Sequence, residues 1–508
     1  MTEIPLHFEL PENLTANKLF KKLSKKIDFE IASHQYTIKT FYDSFDWRLY
    51  NADMVCEFNH SQTASQLNLI NRKSGQSIAL ENMQDIPAFS DYLPRGHLKK
   101  QLEEHLKMRA LLPICHLPYE AYRIKILNKN KKTVLRIQVD EYEFLTNCIH
   151  LQPLKGYEKA TKNISDLLQH VLNLKPADYT VLKTALKQQG RKAKDYSSKF
   201  TIQLKPEMRV DKASKLIYIN LLQAIHANEA GAIANTDSEF LHDFRVAVRR
   251  TRAGLSQIKN TLPKEVIAQH TDFFSWLNQI TGPTRDMDVY LLSYKQYKAA
   301  LPITLRDDLA PLYAFLEDKH TKVQTELAEK LKSTEYKKKL AAWEQYLKEP
   351  LPKKGKGSHA NLMIKELADQ RIWKAYRHLL KEGEAITDDS PAETLHDLRK
   401  TCKKLRYLME FFQSLYHKRN IKVLLKALKG FQTVLGDFQD YEVQEIKITQ
   451  FSEEMMANNV SSNTFLAVDV LVQYLDNMKR AARKSFSEQF ALFNRAKNQT
   501  MFKTLFSN

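Results

Sequence analysis

The sequence predicts an α+β domain before about residue 200 and an all-α domain after it. Residues 133–140 alternate between apolar and polar side chains, which is typical of a half-buried antiparallel strand. After residue 211 strand patterns vanish, and helical periodicity continues almost without a break. Two motifs in this second part recur at a constant separation. The chain therefore divides into two fold classes, and the second contains a duplicated unit.

In the first part, short strands alternate with turns, and helical stretches interrupt them. A basic segment at 191–196 is typical of a linker, so the first domain is predicted to cover residues 1–200. Strands are predicted at 36–42, 67–70, 120–127, 133–139 and 148–151, and helices at 14–26, 95–112 and within 163–190.

The second domain is predicted over residues 205–508, with roughly ten helices. Proline, glycine and small polar residues indicate helix ends at 261–263, 282–283, 301–302, 350–357, 388–391, 436 and 458–462. The segment 349–358 is the most linker-like, and it separates two repeats at about 205–349 and 359–500. We expect two antiparallel helical bundles related by a pseudo-twofold axis.

The repeat is visible in two motifs. The segment 242–252 starts with a histidine followed by closely spaced cations, and it returns in altered form at 396–406, 154 positions later. The segment 282–286 returns at 436–440 with the same separation of 154. Two separated matches at one offset are hard to obtain by chance, so both copies have kept a histidine and a cationic helix face.

Helical geometry places these cations in rows. At about 100° per residue, each row covers roughly a quarter of the helix surface, beside an apolar stripe. The rows are His242, Arg245, Arg249 and Arg252 in the first copy, and His396, Arg399, Lys403 and Arg406 in the second. Like charges on one face repel, and a polyanion along the row would remove that cost. Pseudo-twofold symmetry would let both rows line one groove.

A cationic helix face is most often only a solvated surface. Two observations favour a binding role here. Acidic residues four positions away, which would neutralise the rows, are nearly absent, and the pattern persists in both copies of a diverged repeat.

Composition supports an anionic partner. The 508 residues carry a formal net charge of +19, and the isoelectric point is near 9.4. Such a balance favours nucleic acid, a phosphate polymer or an acidic membrane surface. No run of eighteen apolar residues and no secretion signal is found, and the four cysteines lack close pairing. We therefore expect a cytoplasmic protein without a membrane span, zinc site or other metal site, or cofactor.

The motifs at 241–252, 281–289, 395–406 and 435–440 resemble those of the CHAD family, the conserved histidine α-helical domain, over about residues 205–500. The resemblance implies binding of inorganic polyphosphate through these cations and association with polyphosphate granules. The six arginines and lysines of the rows are the first choice for phosphate contacts, because guanidinium and ammonium groups suit a repeating phosphate chain.

Other residues are assigned less directly. Arg250 and Lys404 lie about 80–100° from the rows and either serve an adjoining face or are solvated. The two histidines either donate to phosphate or pack against a neighbouring helix. Acidic groups of the second motif are expected to hold the arginines in position. Further candidates for phosphate binding share one helix face: Lys422, Lys426 and Lys429.

The first domain is similar to a CYTH domain, the triphosphate tunnel metalloenzyme fold, at 41–53 and 149–157. The resemblance implies an antiparallel β-barrel or tunnel. Active members carry Glu-x-Glu-x-Lys, Arg-x-Arg and a late Glu-x-Glu, whose carboxylates hold a metal and whose cations hold phosphate. At the corresponding positions this chain has Glu3, Pro5 and His7; Glu57 and Asn59; and His150 and Gln152.

These replacements predict a domain without catalytic residues. The leading interpretation is therefore a polyphosphate-binding protein with a degenerate CYTH-like domain. Two alternatives remain open: a metal-dependent triphosphatase or polyphosphatase whose CHAD domain holds the substrate, and a nucleic-acid-binding protein. No recognition motif or aromatic stacking platform accompanies the arginines, which disfavours base recognition.

Overall fold

The computed structural model describes residues 4–11, 13–177, 181–456 and 460–507. It contains two compact units, with the division between Ser198 and Lys199. Glu3 of the first CYTH-like motif lies outside the described residues, as do residues 458–459 of the last predicted helix end. Below, the two units are called the N-terminal unit and the C-terminal unit.

The N-terminal unit contains one antiparallel sheet of nine strands among its described residues. Their order across the sheet is β5-β4-β3-β2-β6-β7-β8-β1-β9. The strands are β1 (His7–Glu9), β2 (Phe29–Asp43), β3 (Met54–Ser61), β4 (Ser65–Asn71), β5 (Ser77–Asn82), β6 (Leu112–Leu127), β7 (Thr133–Tyr142), β8 (Cys148–Pro153) and β9 (Lys175–Pro176). The α+β prediction is confirmed.

Helices of the N-terminal unit cover the outside of the sheet with apolar side chains, such as Leu19 and Leu102. The predicted helix at 95–112 is too long, because Lys107 adopts a positive φ of 55° and residue 112 already begins β6. The predicted helical region at 163–190 is interrupted by β9. The helices are α1 (Ala16–Leu23), α2 (Arg48–Asn51), α3 (His97–Leu106), α4 (Glu158–Asp166) and α5 (Val181–Gln188), and a short π-helical segment (Leu167–Val171) follows α4.

The sheet curls so that its two ends approach one another. Gly75, in the turn between β4 and β5, lies against the His7 ring on β1. A Cβ atom at this position would be only 1.8 Å from His7 Nε2, and the φ of +69° also favours glycine. The curled sheet encloses a cavity of about 800 Å³.

The C-terminal unit is helical, and its described part contains twelve α-helices joined by short connections. No described helix is long and apolar enough to cross a membrane. The helices are α6 (Val210–Ala234), α7 (Ser238–Gln257), α8 (Lys264–Ile280), α9 (Gly282–Ala300), α10 (Ala310–Lys332), α11 (Thr334–Lys348), α12 (Ile364–Glu384), α13 (Ala392–Phe412), α14 (Lys418–Met456), α15 (Ser462–Lys484), α16 (Phe486–Phe493) and α17 (Ala496–Phe506).

The sequence repeat is also a repeat of structure. α12, α13 and α14 each begin 154 positions after α6, α7 and α8 respectively. Two hydrogen bonds join the copies where α6 and α12 begin: Val210 N donates to Leu362 O at 3.0 Å, and Ile364 N donates to Met208 O at 2.8 Å. Because each donor and acceptor is the repeat equivalent of the other, these bonds exchange across a local pseudo-twofold axis.

One predicted helix end is wrong. Gly436 lies inside α14, a single helix of 39 residues, whereas its equivalent Gly282 begins a new helix after α8. Pro283 explains the difference, since proline is favoured in the first turn of a helix and cannot continue one. The second copy has Asp437 at this position, whose backbone N–H group can donate a hydrogen bond within a continuous helix. Conversely, the helix ends at Ser333 and Ser485 carry no glycine or proline and were not predicted.

Candidate functional site

The two histidine helices, α7 and α13, pack against each other. The side chain of Asp237 caps α7 by accepting from the N–H groups of Glu239 and Phe240, which fixes where the helix starts. Apolar side chains such as Phe244 on α7 and Leu398 on α13 are fully buried. Burial of these stripes leaves the cationic rows at the edge of the helix contact.

Cations from both copies meet at this edge. The charges influence one another strongly enough to lower the pKa values of Arg245, Arg249 and Lys403, in addition to the larger effect of burial. We call this group the shared cation cluster; it consists of Arg245, Arg249, Arg285, Arg399, Lys403 and Arg406.

Two members that are repeat equivalents are held by different partners. Arg245 donates from one guanidinium nitrogen to Asn278 O at 3.0 Å and to Thr281 Oγ1 at 2.7 Å, at the end of α8. Arg399 donates to Gln439 Oε1 at 2.8 Å and to Asp440 Oδ1 at 3.0 Å, on α14. Both arginines lie over the glycine of the second motif, Gly282 or Gly436. The repeated motif therefore positions these two arginines.

Two other members lack a partner. Arg249 and Lys403 are half-buried, and no hydrogen bond or ion pair to either side chain is found among the described residues. Burial, Arg399 and Arg249 lower the pKa of Lys403 to about 8, well below its usual 10.5. The Nε atom of Arg249 is buried without an acceptor. Uncompensated, half-buried cations are costly, and an anion would remove that cost.

Glu410 pairs with cations of both histidine helices. It accepts from Arg250 at 2.7 Å across the two helices, and it lies 3.6 Å from Arg406 Nε, one helical turn earlier. The expectation that acidic residues are nearly absent around the rows is therefore wrong at this point. Lys404 is exposed and Arg252 is half-exposed; neither has an ionic partner in the described ranges.

The histidine of the second copy contacts α14. His396 Nε2 lies 2.7 Å from Glu442 Oε2, an ion pair when the imidazole is protonated, and its ring faces the Phe438 ring. His242 is half-buried on α7. Two acidic residues of the second motif do hold cations: Asp440 pairs with Arg399, and Asp288 lies 3.7 Å from Arg285 and 3.0 Å from His320.

Arg285 is the cluster member that the sequence analysis did not select. It donates to Ser238 O at 3.3 Å from the start of α9. Its equivalent in the second copy is Gln439, so the comparison of copies gave no signal of a retained charge. Its position in the Gly-Pro-Thr-Arg-Asp motif was the available signal.

The secondary candidates form an exposed row on α14: Lys422, Lys426 and Lys429. Lys429 precedes Gly436, over which Arg399 lies, by seven residues. Seven residues are about two helical turns, or about 10 Å, so Lys429 lies on nearly the same side of α14 as Gly436, the side that Arg399 of α13 contacts. Lys422 lies a further two turns away on that side.

The cavity of the N-terminal unit contains the residues found at the CYTH-like metal and phosphate positions. His7, Glu57, Asn59, His150 and Gln152 all line it. Glu57 is the one acidic side chain among the described residues of the lining. The buried Lys39 Nζ lies 3.7 Å from Glu57 and 3.2 Å from Asp140. The Glu57 carboxylate is therefore already paired with a cation.

The cavity is nevertheless cationic, although the positions that match the CYTH-like Arg-x-Arg motif carry no arginine. Arg123 on β6 and Arg136 on β7 both line it, together with Lys125. In the register of these strands Arg136 pairs with Lys125, and Arg123 with Gln138, so the three cations are close neighbours. They come from strands outside the short motifs on which the sequence comparison rested.

Comparisons with known proteins relate part of the C-terminal unit to a domain family. Residues 217–448 match the model of the CHAD domain family. Solved structures similar to the chain include the CHAD domain from the plant Ricinus communis, at 25% identity over 58% of this chain and 94% of that one, with a TM-score of 0.49. PptA from Streptomyces chartreusis matches at 14% identity over 56% and 99%, with a TM-score of 0.43.

A further solved structure covers a different share of the chain. It is a putative adenylyl cyclase from Hippeastrum described as having a dominant triphosphatase activity, at 12% identity over 37% of this chain and 95% of that one, with a TM-score of 0.29. No curated protein sequence matches the chain.

Proposed function

Because residues 217–448 form a CHAD domain, we propose that the protein binds inorganic polyphosphate through the shared cation cluster. The observation that carries the proposal is the pair Arg249 and Lys403, half-buried between two helices and without an ion pair among the described residues. Their neighbours Arg245 and Arg399 are held in place by hydrogen bonds. Fixed donors around uncompensated charge suit an anion rich in oxygen acceptors.

A chain of phosphates suits this surface better than a single one. The cluster draws cations from α7, α9 and α13, and the exposed lysines of α14 continue from Arg399 along one helix face. A linear polyanion could contact several of these groups in turn, releasing counterions as it binds. We also propose that the protein associates with polyphosphate granules where the cell forms them.

The test is a titration of the full chain with polyphosphate at several salt concentrations. The variant Arg249→Gln/Lys403→Gln removes the two unpartnered charges and leaves the Arg399–Asp440 pair intact. Charge-assisted hydrogen bonds contribute about 1.5–3 kcal/mol each, so we expect affinity to fall at least roughly 100-fold. The dependence of affinity on salt should also become weaker, because fewer counterions are released.

The matched control is Lys353→Gln/Lys354→Gln, which removes the same net charge from exposed lysines between the two copies. Its affinity should stay within a few-fold of the wild type. An equal loss in both variants would mean that the attraction is diffuse, and wild-type affinity in the cluster variant would exclude the cluster. Competition with DNA at matched phosphate and salt concentrations tests the nucleic-acid alternative: stronger displacement by DNA would favour it.

We further propose that the N-terminal unit does not hydrolyse triphosphates with Mg²⁺ or Mn²⁺. Such hydrolysis needs carboxylates free to hold the metal, and Glu57, the described acidic residue of the cavity, is paired with Lys39. Phosphate release from tripolyphosphate and ATP should equal background with either ion. The proposal would be wrong if the wild type hydrolysed either substrate, Glu57→Gln abolished this activity, and the control Glu104→Gln at an exposed position left it unchanged.

A further inference from the structure

The N-terminal unit contains a second cluster of chemically distinctive side chains, separate from the arginines. Asp140 on β7 and Cys148 and His150 on β8 are buried, and one potential ligand atom from each lies within 4.8 Å of the others. His150 Nε2 is 3.3 Å from Cys148 Sγ and 3.3 Å from Asp140 Oδ2. Strand register brings them together, because Asp140 pairs directly with Cys148.

We propose that Asp140, Cys148 and His150 form a site for a divalent transition metal, with Zn²⁺ as the best match. Bonds of 2.0–2.3 Å in a tetrahedral zinc site place neighbouring ligand atoms about 3.3–3.8 Å apart, and the distances from His150 Nε2 to Cys148 Sγ and to Asp140 Oδ2 are both 3.3 Å. A thiolate and a carboxylate together balance the charge of the ion. Thiolate and imidazole ligands favour zinc over magnesium.

Neighbouring groups orient two of these ligands. His7 Nδ1 lies 2.7 Å from His150 Nδ1, so a proton shared on that side directs the lone pair of His150 Nε2 toward Cys148 and Asp140. Gln138 Nε2 donates to Asp140 Oδ1 at 2.7 Å, which leaves Oδ2 directed at His150. Such hydrogen bonds from outside the ligand set are typical of metal sites in proteins.

Lys39 opposes metal binding, because its ammonium group lies 3.2 Å from Asp140 Oδ2. It has two further partners, however: the Tyr142 hydroxyl at 3.1 Å and Glu57 at 3.7 Å. The Tyr142 hydroxyl also donates to Asp140 Oδ2 at 3.2 Å. A metal would therefore require a small movement of Lys39 toward Glu57 and a rotation of the Tyr142 hydroxyl away from this oxygen. The cost of this movement is a reason to expect moderate affinity.

The site differs from the carboxylate arrangement that the CYTH resemblance implied, both in ligand chemistry and in the preferred metal. Three protein ligands leave one position of a tetrahedral ion for another molecule. His150 also lines the large cavity, so the proposed ion would be bound at the wall of that cavity. The proposal concerns metal binding and does not depend on polyphosphate binding by the C-terminal unit.

The experiment uses the full chain, reduced and stripped of metal, and titrates it with Co²⁺ and then with Zn²⁺. Thiolate ligation of Co²⁺ produces a near-ultraviolet charge-transfer absorption, which Zn²⁺ should remove by displacement. Cys148→Ser should abolish this absorption, and the matched variant Cys115→Ser, another buried cysteine of the same sheet, should retain it. His7→Phe should keep the absorption but weaken affinity roughly 10- to 100-fold.

A measurement on the unaltered protein covers the case in which a variant does not fold. Zn²⁺ should slow alkylation of Cys148 in the wild-type chain and leave the rate at Cys402 unchanged, as measured by mass spectrometry. No thiolate absorption at saturating Co²⁺ in the folded wild type, or absorption that survives Cys148→Ser, overturns the proposal. Equal alkylation of Cys148 with and without Zn²⁺ does so as well.

Discussion

Lys39 and Lys403 show two ways in which this protein places a lysine away from water. The side chain of Lys39 is 2% exposed and is surrounded by Asp140, Glu57 and the Tyr142 hydroxyl. Lys403 is half-buried among arginines, and its pKa is lowered to about 8. The first charge is compensated by direct ion pairs within the fold, whereas the second has no ion pair among the described residues and only the longer-range attraction of Asp440. A compensated charge belongs to the structure, whereas an uncompensated one indicates a site for an external anion.

The largest effect should follow from breaking the compensated pair. Lys39→Met would leave two buried carboxylates without their cation, so we expect a loss of roughly 3–5 kcal/mol in the free energy of unfolding of the N-terminal unit. Urea unfolding followed by the β-sheet signal in circular dichroism measures it. Lys125→Met, which removes an exposed pair with Glu30, should cost about 0–1 kcal/mol. Equal losses in Lys39→Met and Lys125→Met would show that the buried ion pairs of Lys39 contribute no more to stability than an exposed pair.

The second largest effect should be the stabilisation of the C-terminal unit by bound polyphosphate. Polyphosphate at 100 times its dissociation constant should raise the free energy of unfolding of the C-terminal unit by about 2.7 kcal/mol, because it binds the folded state. The helical signal during urea unfolding reports the change. At the same concentration, Arg249→Gln/Lys403→Gln should show a gain close to zero. Lys353→Gln/Lys354→Gln should respond like the wild type, and a full gain in the cluster variant would contradict the prediction.

A smaller effect should appear without ligand. Lys403→Met removes a cation that is repelled by several neighbours, so the C-terminal unit should become more stable by roughly 0.5–1 kcal/mol. The sign is opposite to that expected for Lys39→Met, although the substitution is the same. Lys404→Met, at the exposed neighbouring position, should change stability by less than about 0.5 kcal/mol. A destabilised Lys403→Met protein would show that an interaction within the fold compensates Lys403.

The last prediction concerns pH, and its effect on polyphosphate affinity is small. The pKa of Lys403 is lowered from 10.5 to about 8 in the folded chain, so between these values the unfolded state binds more protons. The contribution of Lys403 to the free energy of unfolding should therefore rise as the pH increases from about 8 to 10.5. Polyphosphate affinity should fall a few-fold between pH 7 and 9 over the same titration, because a phosphate contact loses its charge. Lys403→Gln should remove this part of the pH dependence in both measurements.

The comparison also shows where inference from sequence succeeds. The two fold classes and the CHAD domain were predicted correctly, because helical periodicity and a repeated motif are local patterns. The cavity cations Arg123 and Arg136 were missed because they lie on strands that only sheet pairing brings together. The pair of Glu410 with Arg250 was not predictable, because Arg250 lies 160 positions earlier on another helix, whereas the position of Glu410 four residues after Arg406 was visible in the sequence.

The repeat of 154 residues and the spacing of its cations were determined by the sequence itself, and they were sufficient to predict two cationic helix faces. Which of those cations are free was decided only by tertiary structure. Arg250 and Lys403 are both basic residues of the repeated segments, yet packing of α7 against α13 places Glu410 in an ion pair with Arg250. Lys403 instead lies among Arg249, Arg399 and Arg406, whose repulsion is opposed only in part by Asp440. Coulomb interactions depend on distances through space, and a folded chain sets those distances independently of separation along the sequence.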